Sequence, residues 1–442
     1  MDDCTKQKLK KNSEVLKCHY CDIIINDNDS YLMIKKKKIC LECLISNNKY
    51  KEKLKIEYFE LEDLNKSNLN KNSETNNSKL KNSRNYGIDL LRIFAMTNVV
   101  ILHVMNFGKI LYANQFTKKY YYVWLLETFS YSAVNTFGMI SGYVMINTKF
   151  NGFKIIPLWL NVFFYDLIKV LNAYFFSPTK YTNSNKKKLL FRLFFPVLKG
   201  GDWYFTSYFC MYFFTFYINK LMLSLNKKES KKLISTIIII FCVLPFITLE
   251  NFDPFSIRKG YSPFWLIFLY IIGAYLKLFP VKISRIKLLL YYILTIIIPW
   301  GIKKYSHLYM LYYYKKKKYE LGLFIRYDSI FIVLNAVCLI IFFSQLKIQN
   351  KLIIIIIEVI SQLSFSVYLT HSKVIFKQNK IINRFNRLNH VNLIKNVLKT
   401  SFKIIYMCLY NDIMRLIIFK ILMIDKIPIV MSKIYDYIYQ KI

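Results

Sequence analysis

The sequence predicts an all-α polytopic membrane protein with about ten transmembrane helices and a small zinc-ribbon-like module at its N-terminus. The first observation behind this prediction is that 55% of the 442 residues are hydrophobic and that they gather in long blocks. Several blocks reach the roughly 20 residues that a helix needs to cross the hydrocarbon core of a bilayer. The second observation is a pair of Cys-x-x-Cys motifs in the polar segment before the first block.

Residues 1–63 are predicted to form a four-cysteine zinc-binding module. Eighteen residues separate the motif of Cys18 and Cys21 from that of Cys40 and Cys43, so four thiolates can converge on one structural Zn²⁺. The segment between the motifs is typical of two short strands around an Asn-Asp turn. Two disulfides in an exported domain are the alternative. The first 20 residues lack the apolar core of a signal peptide, which favours metal and a cytosolic module.

Residues 64–85 are rich in Asn, Ser and Lys and predict a flexible linker, because they cannot bury a core. The membrane domain is expected to occupy residues 86–442. Its predicted spans are 88–107, 121–147, 155–177, 203–225, 233–250, 261–279, 287–305, 322–346, 352–376 and 400–424. The last span is the weakest, because three charged residues interrupt it.

The basic charge of the chain indicates contact with lipid rather than with nucleic acid. The net charge is +38, and residues 1–87 contribute only +5 of it, from 18 Lys and Arg against 13 Asp and Glu. The rest is scattered between apolar blocks, where it can meet anionic headgroups. Loop charges alone do not decide the orientation, and the cytosolic module favours an N-terminus on the inside. An unknown protein partner for the zinc module stays open.

The first predicted span holds three residues that a membrane helix normally avoids: Asp89, Arg92 and His103. A charged group near the bilayer centre costs roughly 3 kcal/mol even on the mildest insertion scales. His103 follows Arg92 by eleven positions, which returns a helix to the same face about 16 Å further along its axis. Asp89 is three positions before Arg92, at the spacing of a local ion pair.

This arrangement indicates a site for an elongated anionic molecule that enters from the cytosol. A guanidinium such as that of Arg92 can bind phosphates, and the imidazole of His103 can take a proton from a hydroxyl or hold a transferred group. Three alternatives remain. Arg92 can be an orienting charge at the interface, His103 can be a buried histidine satisfied by a neighbouring helix, and both can line the path of a transporter or flippase.

Four residues in or near later spans are further candidates for lining a substrate cavity: Asn135, Ser141, Trp203 and His371. Asn135 and Ser141 suit helix packing equally well. Trp203 also suits an aromatic belt at the membrane surface. For His371, near the end of the ninth span, an interfacial position is the preferred interpretation.

The ordered set of motifs resembles the membrane-bound acyltransferase-3 family. The segment NYGIDLLRIFAMTNVVILHV has the family's spacing of an Arg, ten residues and a His, here Arg92 and His103. The segments AVNTFGMISGYVM, DWYFTSYFCMYFFTFYIN, FWLIFLYIIGAYLK and SFSVYLTHS are similar to later segments of the family, in the same order. The resemblance covers roughly residues 86–376. The region after about 377 matches poorly, and the zinc module is not part of the family's usual pattern.

This resemblance implies ten membrane helices and the transfer of an acyl group, usually acetyl, from cytosolic acyl-CoA. The acceptor it implies is a hydroxyl of an extracytoplasmic or lipid-linked glycan. His103 would be the central catalytic residue, Arg92 would bind the donor, and Asp89 would orient Arg92. We therefore expect a multi-pass enzyme of the cell membrane, with lipid and glycan as partners and Zn²⁺ in the N-terminal module. A zinc-module sensor attached to an inactive membrane domain is a further alternative.

Overall fold

The computed structural model describes most of the membrane part of the chain and one β-hairpin before it. The described residues are 31–34, 37–40, 84–111, 117–176, 183–198, 202–247, 253–314, 322–377, 385 and 390–432. The chain divides into two compact units, Met1–Arg84 and Asn85–Ile442.

In the first unit, the described part is an antiparallel hairpin. Strand β1 (Tyr31–Ile34) pairs with β2 (Lys37–Cys40), and Tyr31 lies opposite Cys40. Tyr31–Ile34 therefore pairs with the strand that follows it, whereas we expected it to pair across the Asn-Asp turn before it. Cys18, Cys21 and Cys43 lie outside the described residues, as does most of the linker, so the zinc site stays a prediction.

The second unit consists of helices joined by short connections. The helices are α1 (Tyr86–Phe107), α2 (Lys118–Ser130), α3 (Ala133–Met145), α4 (Ile156–Leu171), α5 (Asn183–Phe194), α6 (Trp203–Ser224), α7 (Lys227–Ile238), α8 (Pro263–Leu278), α9 (Arg285–Tyr314), α10 (Ile330–Ser344), α11 (Lys351–Lys377) and α12 (His390–Ile421). Helix α7 continues through a π turn, Ile239–Val243, into Leu244–Ile247. Each of the ten predicted spans overlaps one of these helices or a pair of them, whereas α5 lies in no predicted span.

Two predicted spans are not continuous helices. The second one is divided at Tyr131 into α2 and α3. The hydroxyls of Thr128 and Thr136 bond the carbonyls four residues before them, and Ser130 bonds Asn98 of α1 at 3.2 Å. Such side-chain bonds compete with the helix ladder and bend helices. The eighth span becomes α-helical only at Ile330, where α10 begins.

Three helical segments are long and apolar enough to cross a membrane by length and composition, within the described part of the chain: Tyr86–Phe107, Arg285–Tyr313 and Lys351–Ser372. Helices α8 and α10 are apolar but shorter. On α9, Ile286 and Tyr312 are 74% and 79% exposed, as expected for side chains that face lipid. The chain is thus a membrane protein by its helices, and the count of ten crossings stays a prediction.

Glycines set the close approach of α3 and α8 at the centre of the unit. A Cβ at Gly142 would lie 1.9 Å from the Tyr270 carbonyl oxygen, and one at Gly273 would lie 1.9 Å from that of Met139. Small residues at such crossings let two backbones meet, which is how membrane helices pack without a hydrophobic driving force. This close crossing agrees with helix packing, one of the two interpretations that the sequence left open for the end of the second span.

Helix α12 buries one ion pair inside the unit. Arg415 donates to both carboxylate oxygens of Asp412, at 2.6 and 3.0 Å, and the Tyr165 hydroxyl of α4 donates to the same carboxylate at 2.5 Å. Both charged residues are buried. Two of the three charges that made the last span look weak are therefore paired with each other inside the unit, whereas Lys420 is exposed.

Candidate active site

Helix α1 carries the first half of the candidate site. It is continuous from Tyr86 to Phe107, so Arg92 and His103 share one face as their spacing predicted. Both are half-buried, whereas Leu91, Val100 and Val104 between and beside them are buried. Asp89 is buried and forms an ion pair with Arg92. The Arg92 guanidinium thus has a fixed orientation and still keeps an exposed side.

His103 meets a second histidine from the other end of the sequence. His103 Nδ1 lies 2.5 Å from Nε2 of His371 on α11, and the two rings are within 26° of parallel. His371 Nδ1 lies 3.0 Å from the carbonyl oxygen of Val367, one helical turn before it. His371 is buried, so it lies inside the helix bundle and not at the interfacial position we preferred.

A row of tyrosines on α6 lies between Arg92 and the histidine pair. Tyr204, Tyr208 and Tyr212 repeat every four residues, and their rings follow one another at 6.4 and 6.3 Å. In the middle of the row, Tyr208 is close enough to interact electrostatically with Arg92. At one end, the Tyr204 ring lies 5.8 Å from that of Tyr368.

Tyr368 connects the row to the histidine pair. Its ring lies 6.2 Å from that of His371, three residues further along α11. Helices α1, α6 and α11 therefore contribute to one connected row of side chains, with Arg92 at one end and the histidines at the other. The four-residue spacing of the α6 tyrosines was visible in the sequence, but the abundance of tyrosine concealed it.

A second aromatic cluster leads away from Tyr204 in another direction. Trp203 lies 5.7 Å from Tyr204, 4.6 Å from Tyr261 and 6.2 Å from Tyr327. Tyr131, at the break between α2 and α3, lies 4.8 Å from Tyr327. Tyr261 is 41% exposed and Tyr327 is buried, so the cluster leads from the surface into the helix bundle.

The loop that presents Tyr261 is held in an unusual conformation. Arg258, Lys259 and Gly260 have φ of 54°, 56° and 92°, a region that costs most side chains roughly 1–2 kcal/mol each. Asp253 stabilises the loop by accepting from the backbone N–H groups of Ile257 and Lys259, both at 3.2 Å. A Cβ at Gly260 would lie 2.4 Å from that of Tyr327, so only glycine allows this contact.

Two acidic side chains lie close to this cluster. Glu127 and Asp328 are both near enough to Tyr131 to interact with it electrostatically. Asp328 forms a buried ion pair with Arg326. Glu127 is buried, and its Oε2 has no hydrogen-bond partner among the residues that the structure describes. The cluster therefore offers an acceptor atom to a ligand with hydroxyl groups.

Two of the predicted cavity residues form hydrogen bonds within the helix bundle. Asn135 is buried, donates to the Tyr327 carbonyl at 2.7 Å and accepts from Trp265 Nε1 at 3.1 Å. Asn135 thereby holds the backbone of Tyr327 in place. Ser141 bonds the Phe137 carbonyl of its own helix at 3.0 Å. Of the four cavity candidates, Trp203 and His371 are the ones that lie in the rows of side chains around His103.

The described residues of this site suit an elongated anionic ligand better than a metal ion. A half-exposed, oriented guanidinium can bind a phosphate, and a row of aromatic rings can accompany a flexible arm. Among the described residues, no group of three or more His, Cys, Asp and Glu side chains could hold a metal. The histidine pair alone supplies too few ligands for a protein zinc site.

Comparison with known proteins gives a family for the membrane unit. A family model described as an acyltransferase domain matches residues 85–409, which covers well over half of the chain. The match includes α1 to α11 and most of α12. No curated protein and no solved structure matches the chain.

Proposed function

This chain belongs to the acyltransferase-3 family and is therefore a membrane acyltransferase. We propose that the enzyme moves an acyl group, usually acetyl, from cytosolic acyl-CoA to a hydroxyl of a cell-surface or lipid-linked glycan. The observation that carries the proposal is the connected row of side chains that joins Arg92 to His103 along the tyrosines of α6. One end suits an anionic donor, and the other suits proton transfer.

The donor binds at Arg92. Its guanidinium meets the phosphates of CoA, and Asp89 holds it in place through the ion pair on the same helix. The pantetheine arm then lies along Tyr208 and Tyr204. The distance of about 16 Å between Arg92 and His103 along α1 suits such an arm, because it separates the phosphates from the thioester by a comparable length.

His103 acts as the general base. Its imidazole takes the proton of the acceptor hydroxyl while that oxygen attacks the thioester carbonyl. The new C–O bond forms, the C–S bond breaks, and CoA leaves as a thiolate that takes the proton back from His103. No step requires a metal or a redox partner. Positioning both substrates at one imidazole supplies the remaining rate enhancement.

The acceptor binds at the cluster of Trp203, Tyr261 and Tyr327. Aromatic faces of this kind accept the apolar face of a sugar ring, and the unpartnered Oε2 of Glu127 can accept from a sugar hydroxyl. The cluster meets the donor row at Tyr204, beside the histidines. Donor and acceptor thus approach from different directions, which suits a cytosolic donor and an extracytoplasmic glycan.

The same proposal includes the setting of the enzyme. It is a multi-pass protein of the cell membrane with the N-terminal module in the cytosol, where four cysteines bind a structural zinc ion. Metal analysis of the purified full chain, with Cys18→Ser as the control, tests the zinc. Deletion of residues 1–85 tests whether the module is only accessory, since transfer by the remaining chain should then persist. Loss of transfer in a folded deletion variant would favour a sensor that controls the membrane unit.

The decisive experiment measures thioester consumption and glycan acylation together. Purified protein in lipid nanodiscs is given acetyl-CoA and extracted envelope glycan, and free CoA and O-acetyl groups are measured by thiol assay and mass spectrometry. The wild type should produce both in equal amounts, and His103→Ala should produce both at least about 100-fold more slowly. His307→Gln, which changes another buried histidine, should behave as the wild type. Movement of glycan or acyl-CoA across the membrane without release of CoA would show a transporter and contradict the proposal.

A further inference from the structure

We propose that His371 is a positioning residue that fixes the proton of His103 on Nδ1 and so makes Nε2 of His103 the base. This inference rests on the proposed function for its catalytic meaning. Its structural content, the tautomer of His103, can be measured without any activity. The inference follows from the chain of two hydrogen bonds that begins at the Val367 carbonyl.

The first hydrogen bond determines the tautomer of His371. A backbone carbonyl can only accept, so the nitrogen 3.0 Å from the Val367 oxygen must carry a hydrogen. His371 Nδ1 is therefore a donor. In a neutral imidazole one nitrogen donates and the other accepts, which leaves a lone pair on His371 Nε2. Burial of His371 favours the neutral form, because an apolar environment disfavours charge.

The second hydrogen bond then determines the tautomer of His103. Its Nδ1 lies 2.5 Å from His371 Nε2, and two lone pairs cannot face each other at that distance. One hydrogen must lie between the two nitrogens. The single N–H of neutral His371 is on Nδ1, where it donates to the Val367 carbonyl. His103 Nδ1 therefore donates, and the lone pair of His103 is on Nε2. In water a neutral histidine favours the hydrogen on Nε2. The contact with His371 therefore changes which nitrogen of His103 has the lone pair that the substrate meets.

This arrangement is useful at each stage of the transfer. Before the reaction it holds a lone pair on His103 Nε2, the ring nitrogen farther from the α1 backbone. When that nitrogen takes the proton, the resulting imidazolium keeps its Nδ1–H bond to a neutral acceptor, which spreads the new charge. A histidine bound by another helix also cannot rotate away from the acceptor. If His103 carried the acyl group itself, the same Nε2 lone pair would be required.

Neighbouring rings support His371 in this position. Tyr368 lies on its own helix with its ring 6.2 Å away, and Phe107 lies 5.9 Å from His103 on α1. The Thr370 hydroxyl bonds back to the Ser366 carbonyl at 2.7 Å, so it keeps to its own helix. The pair is thus enclosed by apolar and aromatic groups, which strengthens a hydrogen bond between neutral rings.

The tautomer can be read directly by nuclear magnetic resonance. The chain has five histidines, so ¹⁵N-labelled histidine in the wild-type protein gives a simple spectrum. His103→Gln and His371→Gln variants assign the two signals. We expect two-bond ¹⁵N–¹H correlations of the Nδ1–H tautomer for both residues. An Nε2–H tautomer for His103 would overturn the inference, whatever the protein catalyses.

Kinetics separate positioning from general stability. His371→Ala should lower kcat about 100-fold while KM for acetyl-CoA stays within twofold, because the donor binds at Arg92. His371→Gln keeps an oxygen that can accept from His103 Nδ1, and it should recover at least tenfold of that loss. Imidazole added to His371→Ala should also restore activity and shift the pH dependence of kcat toward that of the wild type. Equal inactivity of the two variants, with unchanged melting temperatures, would overturn the proposed role.

The two kinds of failure can be told apart. A wild-type protein that shows the Nδ1–H tautomer of His103 but releases no CoA contradicts the proposed function and leaves the tautomer established. A wild type that transfers acetyl groups with His103 in the Nε2–H form contradicts this inference and leaves the proposed function standing.

Discussion

The two ends of the site on α1 are held in different ways. Arg92 pairs with Asp89, three residues before it on the same helix, and its side chain is 28% exposed. His103 is held by His371, which is 268 residues away in the sequence and lies on α11. The Arg92 end is a locally built anchor whose side chain stays partly exposed. The His103 end exists only when two distant helices are packed, so the packing of the bundle itself determines the chemistry.

The largest expected effect separates the two ends by kinetic parameter. His103→Ala should lower kcat roughly 10²- to 10⁴-fold and change KM for acetyl-CoA little, because it removes a group needed only for proton transfer. Arg92→Ala should chiefly raise that KM. Steady-state kinetics of both variants in nanodiscs would check this. If both variants changed the same parameter by the same factor, the division of the site into two ends would be wrong.

The next effect tests which part of the donor Arg92 binds. Arg92→Ala should raise KM for acetyl-CoA about 10- to 100-fold, the range expected for a lost charge-assisted hydrogen bond. S-acetylpantetheine, which lacks the phosphates of CoA, should be used equally poorly by the wild type and by Arg92→Ala. Arg92→Lys keeps the charge without the paired donors and should lie between the two. If Arg92→Ala raised KM for S-acetylpantetheine by the same factor as KM for acetyl-CoA, Arg92 would not act on the phosphates of CoA.

These differences explain how far the sequence predicts the site. The Arg92–Asp89 pair follows from a spacing of three on one helix, and the shared face of Arg92 and His103 follows from a spacing of eleven. Nothing local indicates that His371 reaches His103, because this contact depends on how α1 and α11 pack. A histidine near the end of a span commonly lies at the membrane interface. His371 is buried instead, because it contacts His103.

The helices show the same limit. Apolar blocks predict where helices lie, and each of the ten predicted spans contains one. The break at Tyr131 was missed because Thr128, Ser130 and Thr136 look acceptable in an apolar block until their hydroxyls are seen to bond backbone and α1. Asn135 illustrates the converse. It looked like a cavity residue, and its two partners, Tyr327 and Trp265, lie far away in the sequence.

A smaller effect separates the two rows of aromatic rings. Trp203→Leu should raise KM for the glycan about two- to tenfold, the range of a lost aromatic contact, and leave KM for acetyl-CoA unchanged. Tyr208→Leu, a matched change on the same helix, should do the reverse. Varying each substrate at saturating concentration of the other would measure both values. If the two variants affected the same substrate, donor and acceptor would share one approach to His103.

The smallest effect concerns Asp89. Asp89→Asn keeps a side-chain oxygen that can accept from the Arg92 guanidinium, so it should raise KM for acetyl-CoA only a few-fold. The effect should grow at low salt, since removing the carboxylate frees Arg92 to adopt other orientations while its charge remains. The double variant with Arg92→Ala should be no worse than Arg92→Ala alone, because Asp89 acts through the arginine. A further drop in kcat in the double variant would mean that Asp89 takes part in the chemistry directly, and the Arg92 end could then no longer be described as an anchor only.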